Sequence, residues 1–219
     1  MNRLITFGCS FTNYRWSTWA DCLGPEFDQF ENWGQSGAGN EFIFNSVMEA
    51  DQRQRFTSND TVVVCWTTAT REDRYVNGRW HTLGNMFTCP IYNKDYLATH
   101  VDMQGLLIRT LAYVKAVKIL LESRPCRWKF LAMADLDSLN IYNDVVDSIL
   151  PSYQSVLFSN SWPNRNGDPH PSPEEHLAYL DTVLPGWVTK ESTRVKMREE
   201  SINLNKDPKR SGMCKLPRL

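Results

Sequence analysis

The chain has 219 residues and a formal net charge of −1, with 42% hydrophobic and 22% charged residues. This composition is typical of a folded globular domain and excludes an intrinsically disordered chain. The longest uninterrupted apolar runs, such as 62–66, are far shorter than the roughly 20 residues that span a bilayer. Because the first residues lack the apolar core of a signal peptide, we expect a cytoplasmic protein without a membrane span.

Short apolar segments alternate with longer amphipathic segments along the chain. Strands that alternate with helices in this way indicate an α/β fold with a parallel sheet. We therefore predict a flavodoxin-like, three-layer α/β/α domain with a mostly parallel, five-stranded sheet. In chain order, the pattern predicts a strand over 5–7, a helix over 14–23, a strand over 27–33, a helix over 41–53, a strand over 61–66, a helix over 103–121, a strand over 128–133, a helix over 139–150, a strand over 155–158 and a helix over 173–183.

We assign this α/β domain to residues 1–187. It contains an aromatic-rich insertion over about 67–100 without a clear period, which we interpret as a lid or an interface. Residues 188–219 form a basic C-terminal extension with nine Lys or Arg against four Asp or Glu. This extension is the expected contact for a protein partner. Nucleic-acid binding is not expected, because acidic residues interrupt the basic ones.

The six cysteines lie far apart and form neither a Cys-x-x-Cys pair nor a Cys/His cluster with the spacing of zinc ligands. We therefore interpret them as free thiols in a reducing compartment. We expect no metal and no organic cofactor.

The first predicted strand runs into Gly8-Cys9-Ser10-Phe11-Thr12. In a parallel α/β sheet, ligands bind beyond the carboxyl ends of the strands. A serine just past a strand end, flanked by small residues, presents its hydroxyl at that edge, as nucleophilic serines do. Ser10 is therefore a candidate nucleophile. The alternative is that it only caps the following helix.

A second reactive residue, His170, lies between two prolines in the loop that joins the last predicted strand to the last predicted helix. This loop falls at the same edge of the sheet. A neutral imidazole there can accept the proton of a serine, and a carboxylate at Asp168 can fix its tautomer. The sequence thus predicts a Ser10–His170–Asp168 site, or a Ser10–His170 dyad if Asp168 does not reach the ring.

Together these segments resemble the SGNH (GDSL-like) hydrolase superfamily. That family carries its serine in an N-terminal Gly-Asp-Ser block and its histidine in a C-terminal Asp-x-x-His block. Residues 32–38, Asn-Trp-Gly-Gln-Ser-Gly-Ala, resemble its second block, whose glycine N–H helps to form the oxyanion hole. The resemblance covers most of residues 3–184. It implies a serine esterase or deacylase whose oxyanion donors are the N–H groups of Ser10 and Gly37.

The Gly-Cys-Ser-Phe-Thr version of the first block also resembles SGNH-like proteins encoded by tailed bacteriophages, including marine ones. This second resemblance implies that the protein is associated with a virion.

Two blocks depart from the family pattern near the catalytic residues. Cys9 replaces the Asp of the first block, and Gly167 stands three positions before His170, where the family has Asp. The family's Asp of the first block is not the nucleophile, so its loss does not remove the site. Because a loop can absorb one residue, Asp168 remains the expected partner of His170.

The family's third block, Gly-x-Asn-Asp, has no match after the third predicted strand, which runs into Thr67 and Thr68. The hydroxyl of Thr67 or Thr68, or the amide of Asn40, could replace the missing Asn as an oxyanion donor. The residues do not decide among them. Losing one such donor without replacement costs about 3 kcal/mol of transition-state stabilisation.

Arg71 and Trp66, at the end of the third predicted strand, are expected to contact the substrate. Arg71 would meet an anionic group. The alternative is that the charged residues 71–74 pair with one another in solvent.

We therefore predict an SGNH-type esterase or deacylase that hydrolyses a small or carbohydrate-linked ester, or an acyltransferase that differs only in excluding water. The alternative is a binding or structural protein on the same fold, such as a phage virion component, which the missing third-block Asn and the basic C-terminal extension favour. A nucleotide-binding protein is disfavoured, because residues 37–40 lack the further glycine and the lysine of phosphate-binding loops.

Overall fold

A computed structural model of the chain describes residues 1–163 and 168–206. The described strands are β1 (Arg3–Phe7), β2 (Gln29–Asn32), β3 (Asp60–Trp66), β4 (Arg71–Val76), β5 (Arg79–Asn85) and β6 (Arg127–Ala132). The described α-helices are α1 (Trp19–Leu23), α2 (Asn40–Gln54), α3 (Lys94–His100), α4 (Met103–Glu122), α5 (Asn143–Val146), α6 (Tyr153–Leu157), α7 (Pro173–Val183) and α8 (Glu191–Lys206). No helix in this part of the chain is both long and apolar enough to cross a bilayer.

The central sheet, as far as the structure describes it, has four parallel strands in the order β2-β1-β3-β6. Every residue of β3 is buried, as a central strand covered by helices on both faces requires. The α/β fold class predicted from the sequence is therefore confirmed. Because all four strands are parallel, their carboxyl ends lie at one edge, where β1 ends at Phe7 and β3 at Trp66.

The predicted fifth strand over 155–158 is wrong, because this segment belongs to helix α6. Ser152 caps that helix by accepting a hydrogen bond from the Ser155 N–H at 3.1 Å, and Tyr153 in its first turn is fully buried. The outer edge of β6 carries an isolated bridge between Phe130 and Ile149 instead of a strand. The sheet described by the structure is one strand smaller than we predicted.

The predicted helix over 139–150 is also largely wrong, since only Asn143–Val146 is helical. Leu139 and Asn140 have φ angles of 52° and 57°. Two successive residues in the left-handed region cannot continue a right-handed helix, so the helix cannot begin where the apolar spacing suggested.

The insertion over about 67–100 contains an antiparallel hairpin, β4-β5, followed by helix α3. Its turn is Asn77-Gly78, with φ angles of 53° and 78°. An Asn-Gly pair with both φ angles positive is the preferred two-residue hairpin turn, because its twist matches that of the strands. The insertion thus has a secondary structure of its own.

A buried carboxylate attaches this hairpin to the main sheet layer. Asp73 of β4 accepts hydrogen bonds at 2.8 Å from the N–H groups of Gly39 and Phe42, at the start of α2. On β5, the Thr82 hydroxyl donates to the carbonyl of Ser36 at 2.9 Å. The hairpin is therefore fixed to the segment that joins β2 to α2.

Residues 188–206 of the basic extension pack on the body of the same chain. Met197 of α8 is fully buried, and the Ser201 hydroxyl accepts a hydrogen bond from the Glu174 N–H at 2.9 Å, in the first turn of α7. Glu200 accepts a hydrogen bond from the Ser17 N–H at 3.1 Å. The remainder of the extension, 207–219, lies outside the described residues.

Candidate active site

Ser10 lies in a tight turn directly after β1. The carbonyl of Cys9 accepts hydrogen bonds from the N–H groups of Thr12 at 2.9 Å and Asn13 at 3.1 Å, so the chain makes one helical turn there. A Cβ on Gly8 would lie 2.0 Å from the Thr12 hydroxyl oxygen, which leaves room for glycine alone. Ser10 is 3% exposed, so its hydroxyl is held with little contact with water.

His170 and Asp168 reach Ser10 from the segment before α7. The Ser10 Oγ lies 2.7 Å from the His170 Nε2, and the His170 Nδ1 lies 2.7 Å from the Asp168 Oδ1. With the Nδ1–H donating to the carboxylate, Nε2 carries the lone pair that accepts the serine proton. The three side chains predicted from the sequence therefore form one hydrogen-bonded chain.

The shorter spacing of this block, with Asp168 two residues before His170, is accommodated by a local turn. The Asp168 Oδ1 also accepts a hydrogen bond from the His170 backbone N–H at 3.0 Å. A carboxylate that bonds the backbone two residues further on is an Asx turn, which fixes the ring relative to its own acid. The position that the family gives to Asp, Gly167, lies outside the described residues.

Two residues that the sequence analysis missed, Tyr14 and Arg15, hold the other oxygen of Asp168. The Tyr14 hydroxyl donates to the Asp168 Oδ2 at 2.8 Å, and the Arg15 guanidinium forms an ion pair with the same oxygen. Burial raises the pKa of Asp168, but the hydrogen bonds from His170 and Tyr14 outweigh it and hold this pKa below its ordinary value. The carboxylate thus stays ionised beside the imidazole.

The pKa of His170 is lowered from its ordinary value of 6.5. Burial, which disfavours the imidazolium, is the largest cause, and the positive charges of Arg71 and Arg15 act in the same direction. Asp168 opposes them through its hydrogen bond and its charge. A lowered pKa keeps His170 neutral, which is the form that accepts the proton of Ser10.

The loop after β2 lies beside the serine turn. The Gln35 N–H donates to the Gly8 carbonyl at 3.0 Å, which joins the two loops. Gly37 has a φ of 80°, and a Cβ there would lie 2.7 Å from the Thr82 carbonyl oxygen of the hairpin. This position therefore requires glycine both for its backbone angle and for the close approach of β5.

Asn40 is committed to hydrogen bonds within the protein. Its Nδ2 donates to the Thr67 carbonyl at 3.0 Å and to the Thr110 hydroxyl at 3.3 Å, while its Oδ1 accepts from the Thr67 N–H at 2.9 Å. Both amide hydrogens thus have acceptors in the fold. The geometry favours a role for Asn40 in fixing the end of β3 rather than in binding an oxyanion.

The two threonines differ in their access to the site edge. Thr67 is fully buried, and its hydroxyl donates to the Met133 Sδ at 3.6 Å. Thr68 is half-buried, and its hydroxyl lies 3.2 Å from that of Thr70. Of the donors considered for the missing third-block Asn, Thr68 is therefore the one that retains contact with solvent.

The expectation that Trp66 contacts the substrate is wrong. Its side chain is fully buried and packs edge to face on Phe130, with ring centroids 5.6 Å apart. Trp66 belongs to the core because every residue of β3 is covered by helices. Arg71, by contrast, is half-buried at the edge of the sheet, where its guanidinium donates to the Ala38 carbonyl at 3.3 Å.

Comparisons with protein-family models and with curated proteins each found no match. Among solved structures, the chain is similar to a protein assigned to the lipolytic G-D-S-L family from Desulfitobacterium hafniense DCB-2, with 16% identity, a TM-score of 0.49 and coverage of 84% of this chain and 100% of that one. It is similar to a member of the same family from Veillonella parvula DSM 2008, with 12% identity, a TM-score of 0.45 and coverage of 84% and 98%. A carbohydrate esterase structure has 14% identity and a TM-score of 0.43, and the match covers 88% of this chain and 70% of that one.

The first two neighbours carry the same family description that the sequence motifs resemble. Their identities of 16% or less and TM-scores below 0.5 describe a distant likeness.

Proposed function

We propose that this protein is a serine hydrolase of carboxylic esters, with Ser10 as the nucleophile. The observation that carries the proposal is the hydrogen-bonded chain from Ser10 through His170 to Asp168, with both links at 2.7 Å. A nucleophile bonded to a base that a third group orients is the arrangement that activates serine in unrelated folds. The proposed substrates are small or carbohydrate-linked esters, including O-acetyl esters.

In the proposed reaction, the Ser10 Oγ attacks the ester carbonyl while His170 Nε2 accepts the serine proton. The resulting imidazolium is stabilised by Asp168, whose Oδ1 accepts the Nδ1–H. Collapse of the tetrahedral intermediate breaks the bond to the leaving alcohol, which takes the proton from Nε2 and leaves an acyl-serine. Water, deprotonated by His170, then attacks the acyl group, and Ser10 regains its proton as the acid departs.

The proposed oxyanion donors are the backbone N–H groups of Ser10 and Gly37. The bond between Gln35 and Gly8 supports this assignment, because it holds the loop of Gly37 against the turn of Ser10. Thr68 is the proposed third donor, in place of the Asn that the family's third block would supply. Preformed donors of this kind act on the charge that develops in the transition state and cost no reorganisation during the reaction.

The alternative, a binding or structural role such as that of a virion component, is less well supported. Its sequence arguments were the missing third-block Asn and the basic extension, but the Ser10–His170 bond at 2.7 Å favours catalysis. A protein partner for the extension 188–219 stays a prediction. Any such contact must involve the exposed side of α8 or residues beyond it, since Met197 is buried in the chain's own body.

A fluorophosphonate probe, which reacts covalently with activated serines, tests the proposal. We expect labelling of the wild-type protein and loss of labelling in Ser10→Ala and His170→Ala. Ser123→Ala is the matched control, because this exposed serine at the end of α4 bonds the Leu120 carbonyl and the neighbouring Arg124 side chain and should not affect labelling. Absence of labelling in a wild-type protein whose circular dichroism shows an intact fold would overturn the proposal.

A further inference from the structure

We infer that Arg71 forms an anion subsite beside the nucleophile, and that the preferred substrates are esters that carry a carboxylate group near the scissile bond. This inference rests on the proposed function, since it names the substrate class of that same site. It deepens the expectation that Arg71 meets an anionic group, and it has a test of its own.

The position of Arg71 follows from its contacts with two loops at the carboxyl edge of the sheet. One guanidinium N–H donates to the carbonyl of Ala38, next to Gly37, at 3.3 Å. Another lies 3.7 Å from the Sδ of Met133, the residue after β6. The guanidinium therefore spans the edge above the end of β3, between the β2 loop and the β6 loop. Its charge is also felt at His170, whose pKa it helps to lower.

Arg71 differs from two neighbouring arginines, which each form an ion pair with a carboxylate. Arg74 and Arg109 both form ion pairs with Glu72, at 2.8 Å and 3.2 Å. Arg71 forms no ion pair with any residue that the structure describes, and its partners are a neutral carbonyl and a thioether. A guanidinium has five N–H donors, so these two contacts leave donors for a ligand. The planar fork of those donors matches a carboxylate.

The backbone of Arg71 is held firmly, which suits a subsite. A Cβ on Gly39 would lie 3.0 Å from the Arg71 carbonyl oxygen, so the chain passes closely over the start of α2. Two residues further on, Asp73 accepts hydrogen bonds from Gly39 and Phe42, both at 2.8 Å. Because the half-buried guanidinium is also bonded to the Ala38 carbonyl, it would lose less freedom of movement on binding an anion than a free side chain does.

The test compares substrates that differ only in charge. 4-Acetoxybenzoate and 4-acetoxybenzamide place the carboxylate or its neutral amide on the alcohol side of the ester, and monomethyl succinate and methyl succinamate place it on the acyl side. For at least one pair we expect kcat/KM to favour the carboxylate. Arg71→Gln should reduce this preference at least about tenfold, and Arg71→Lys, which keeps the charge, should retain part of it.

Arg74→Gln is the matched control, because it makes the same change on the same strand at a guanidinium that already has a carboxylate. Its carboxylate-to-amide ratio should equal that of the wild type. A general loss of activity, such as one caused by a loosened loop, lowers both values and leaves their ratio unchanged. Circular dichroism checks the fold of each variant. Equal ratios in the wild type and Arg71→Gln for both pairs would overturn the inference.

A binding measurement separates the subsite from the chemistry. In Ser10→Ala, calorimetry with both pairs of compounds should show tighter binding of the carboxylate than of the amide in at least one pair, and this preference should vanish in Ser10→Ala/Arg71→Gln. Equal binding of carboxylate and amide in both pairs, or binding of none of the four compounds, would count against the subsite. Failure of fluorophosphonate labelling alongside a carboxylate preference would reject the proposed hydrolase and keep the subsite.

Discussion

Tyr14 lies face to face with His170, with ring centroids 3.9 Å apart and an angle of 18° between the rings. The same tyrosine donates its hydroxyl to the Asp168 Oδ2 at 2.8 Å. One side chain therefore limits the tilt of the base and holds the acid that orients it. It is a positioning residue, since it acts on the reaction through His170 and Asp168.

Two variants of Tyr14 separate these contributions. Tyr14→Phe keeps the stacked ring and removes a hydrogen bond to a carboxylate, so we expect about a tenfold loss in the rate of fluorophosphonate labelling. Tyr14→Ala removes both and should lose more. The two losses are measured at saturating and at low probe concentration, because a positioning role should reduce the maximal rate rather than probe binding. Equal rates for Tyr14→Phe and the wild type would show that the hydroxyl does not support the acid.

The lowered pKa of His170 predicts the pH dependence of labelling. Ser10 is activated only by the neutral imidazole, so the rate should rise with pH through the pKa of His170 and stay level above it. Because this pKa is lowered, the midpoint should fall below the ordinary histidine value of about 6.5. A midpoint above that value would contradict the environment described here.

The role of Asp168 predicts a large loss on amide substitution. Asp168→Asn keeps the shape of the side chain but removes the charge that stabilises the imidazolium and fixes its tautomer. We expect labelling to slow by about 10³- to 10⁴-fold. The matched control is Asp181→Asn, whose carboxylate pairs with Arg194 on the surface, far along the helix that follows the site. A loss of less than tenfold would indicate a Ser10–His170 dyad.

Asn40→Ala tests whether this amide stabilises the fold or the oxyanion. The variant leaves the N–H and the carbonyl of Thr67 buried without partners, so the free energy of unfolding should fall by about 2–3 kcal/mol in urea titrations. Labelling of the folded fraction should fall by less than about tenfold, whereas a lost oxyanion donor costs about 10²–10³. Asn45→Ala is the control on the same helix, since among the residues that the structure describes the Asn45 amide bonds only the Glu41 carbonyl.

The contribution of Asp73 to stability should change with pH in the opposite direction to that of most paired carboxylates. Burial raises its pKa from 3.8 to about 6, despite the hydrogen bonds from Gly39 and Phe42. The folded state therefore holds the proton more tightly than the unfolded state, and the stability from this group falls as pH rises from about 4 through about 6. Above the folded pKa no further loss is expected.

Asp73→Asn isolates this contribution, because the amide does not titrate. Between about pH 5 and pH 7, the free energy of unfolding of the wild type should fall by about 1 kcal/mol relative to that of the variant. Urea titrations of both proteins at the two pH values give the comparison. If the difference in free energy of unfolding between the wild type and Asp73→Asn did not change with pH, Asp73 would titrate near its ordinary value.

Some elements of the fold could be predicted from the sequence. The buried strand 61–66 was recognisable because β-branched and apolar residues fill it on both faces, and the helix over 173–183 because Ser172 precedes Pro173 at its start. The Ser172 hydroxyl does cap that helix, accepting from the Glu175 N–H at 3.3 Å. The rule that parallel strands place their carboxyl ends at one edge correctly placed Ser10 after β1. The strand expected before His170, 155–158, is helical, so the rule does not account for the position of His170.

Other parts depended on contacts that leave no local pattern. Tyr14 and Arg15 meet Asp168 across 154 and 153 positions of sequence, and neither lies at a spacing that suggests it. Trp66 was expected at the substrate because it stands at a strand end, although the apolar pattern of 61–66 indicates that the whole strand is buried. The hairpin, in contrast, was predictable from Asn77-Gly78 between β-branched and aromatic residues, a signal that the irregular composition of the insertion obscured.

Ser10 and His170 are separated by 160 positions, so their side chains meet only when distant parts of the chain have come together. During synthesis, Ser10 emerges long before Asp168 and His170, with which it forms one hydrogen-bonded chain in the folded protein. Closing so long a loop is entropically costly and slow compared with local contacts. In an unfinished chain Ser10 lacks His170, so the proposed reactivity of Ser10 towards a fluorophosphonate would report the completion of folding.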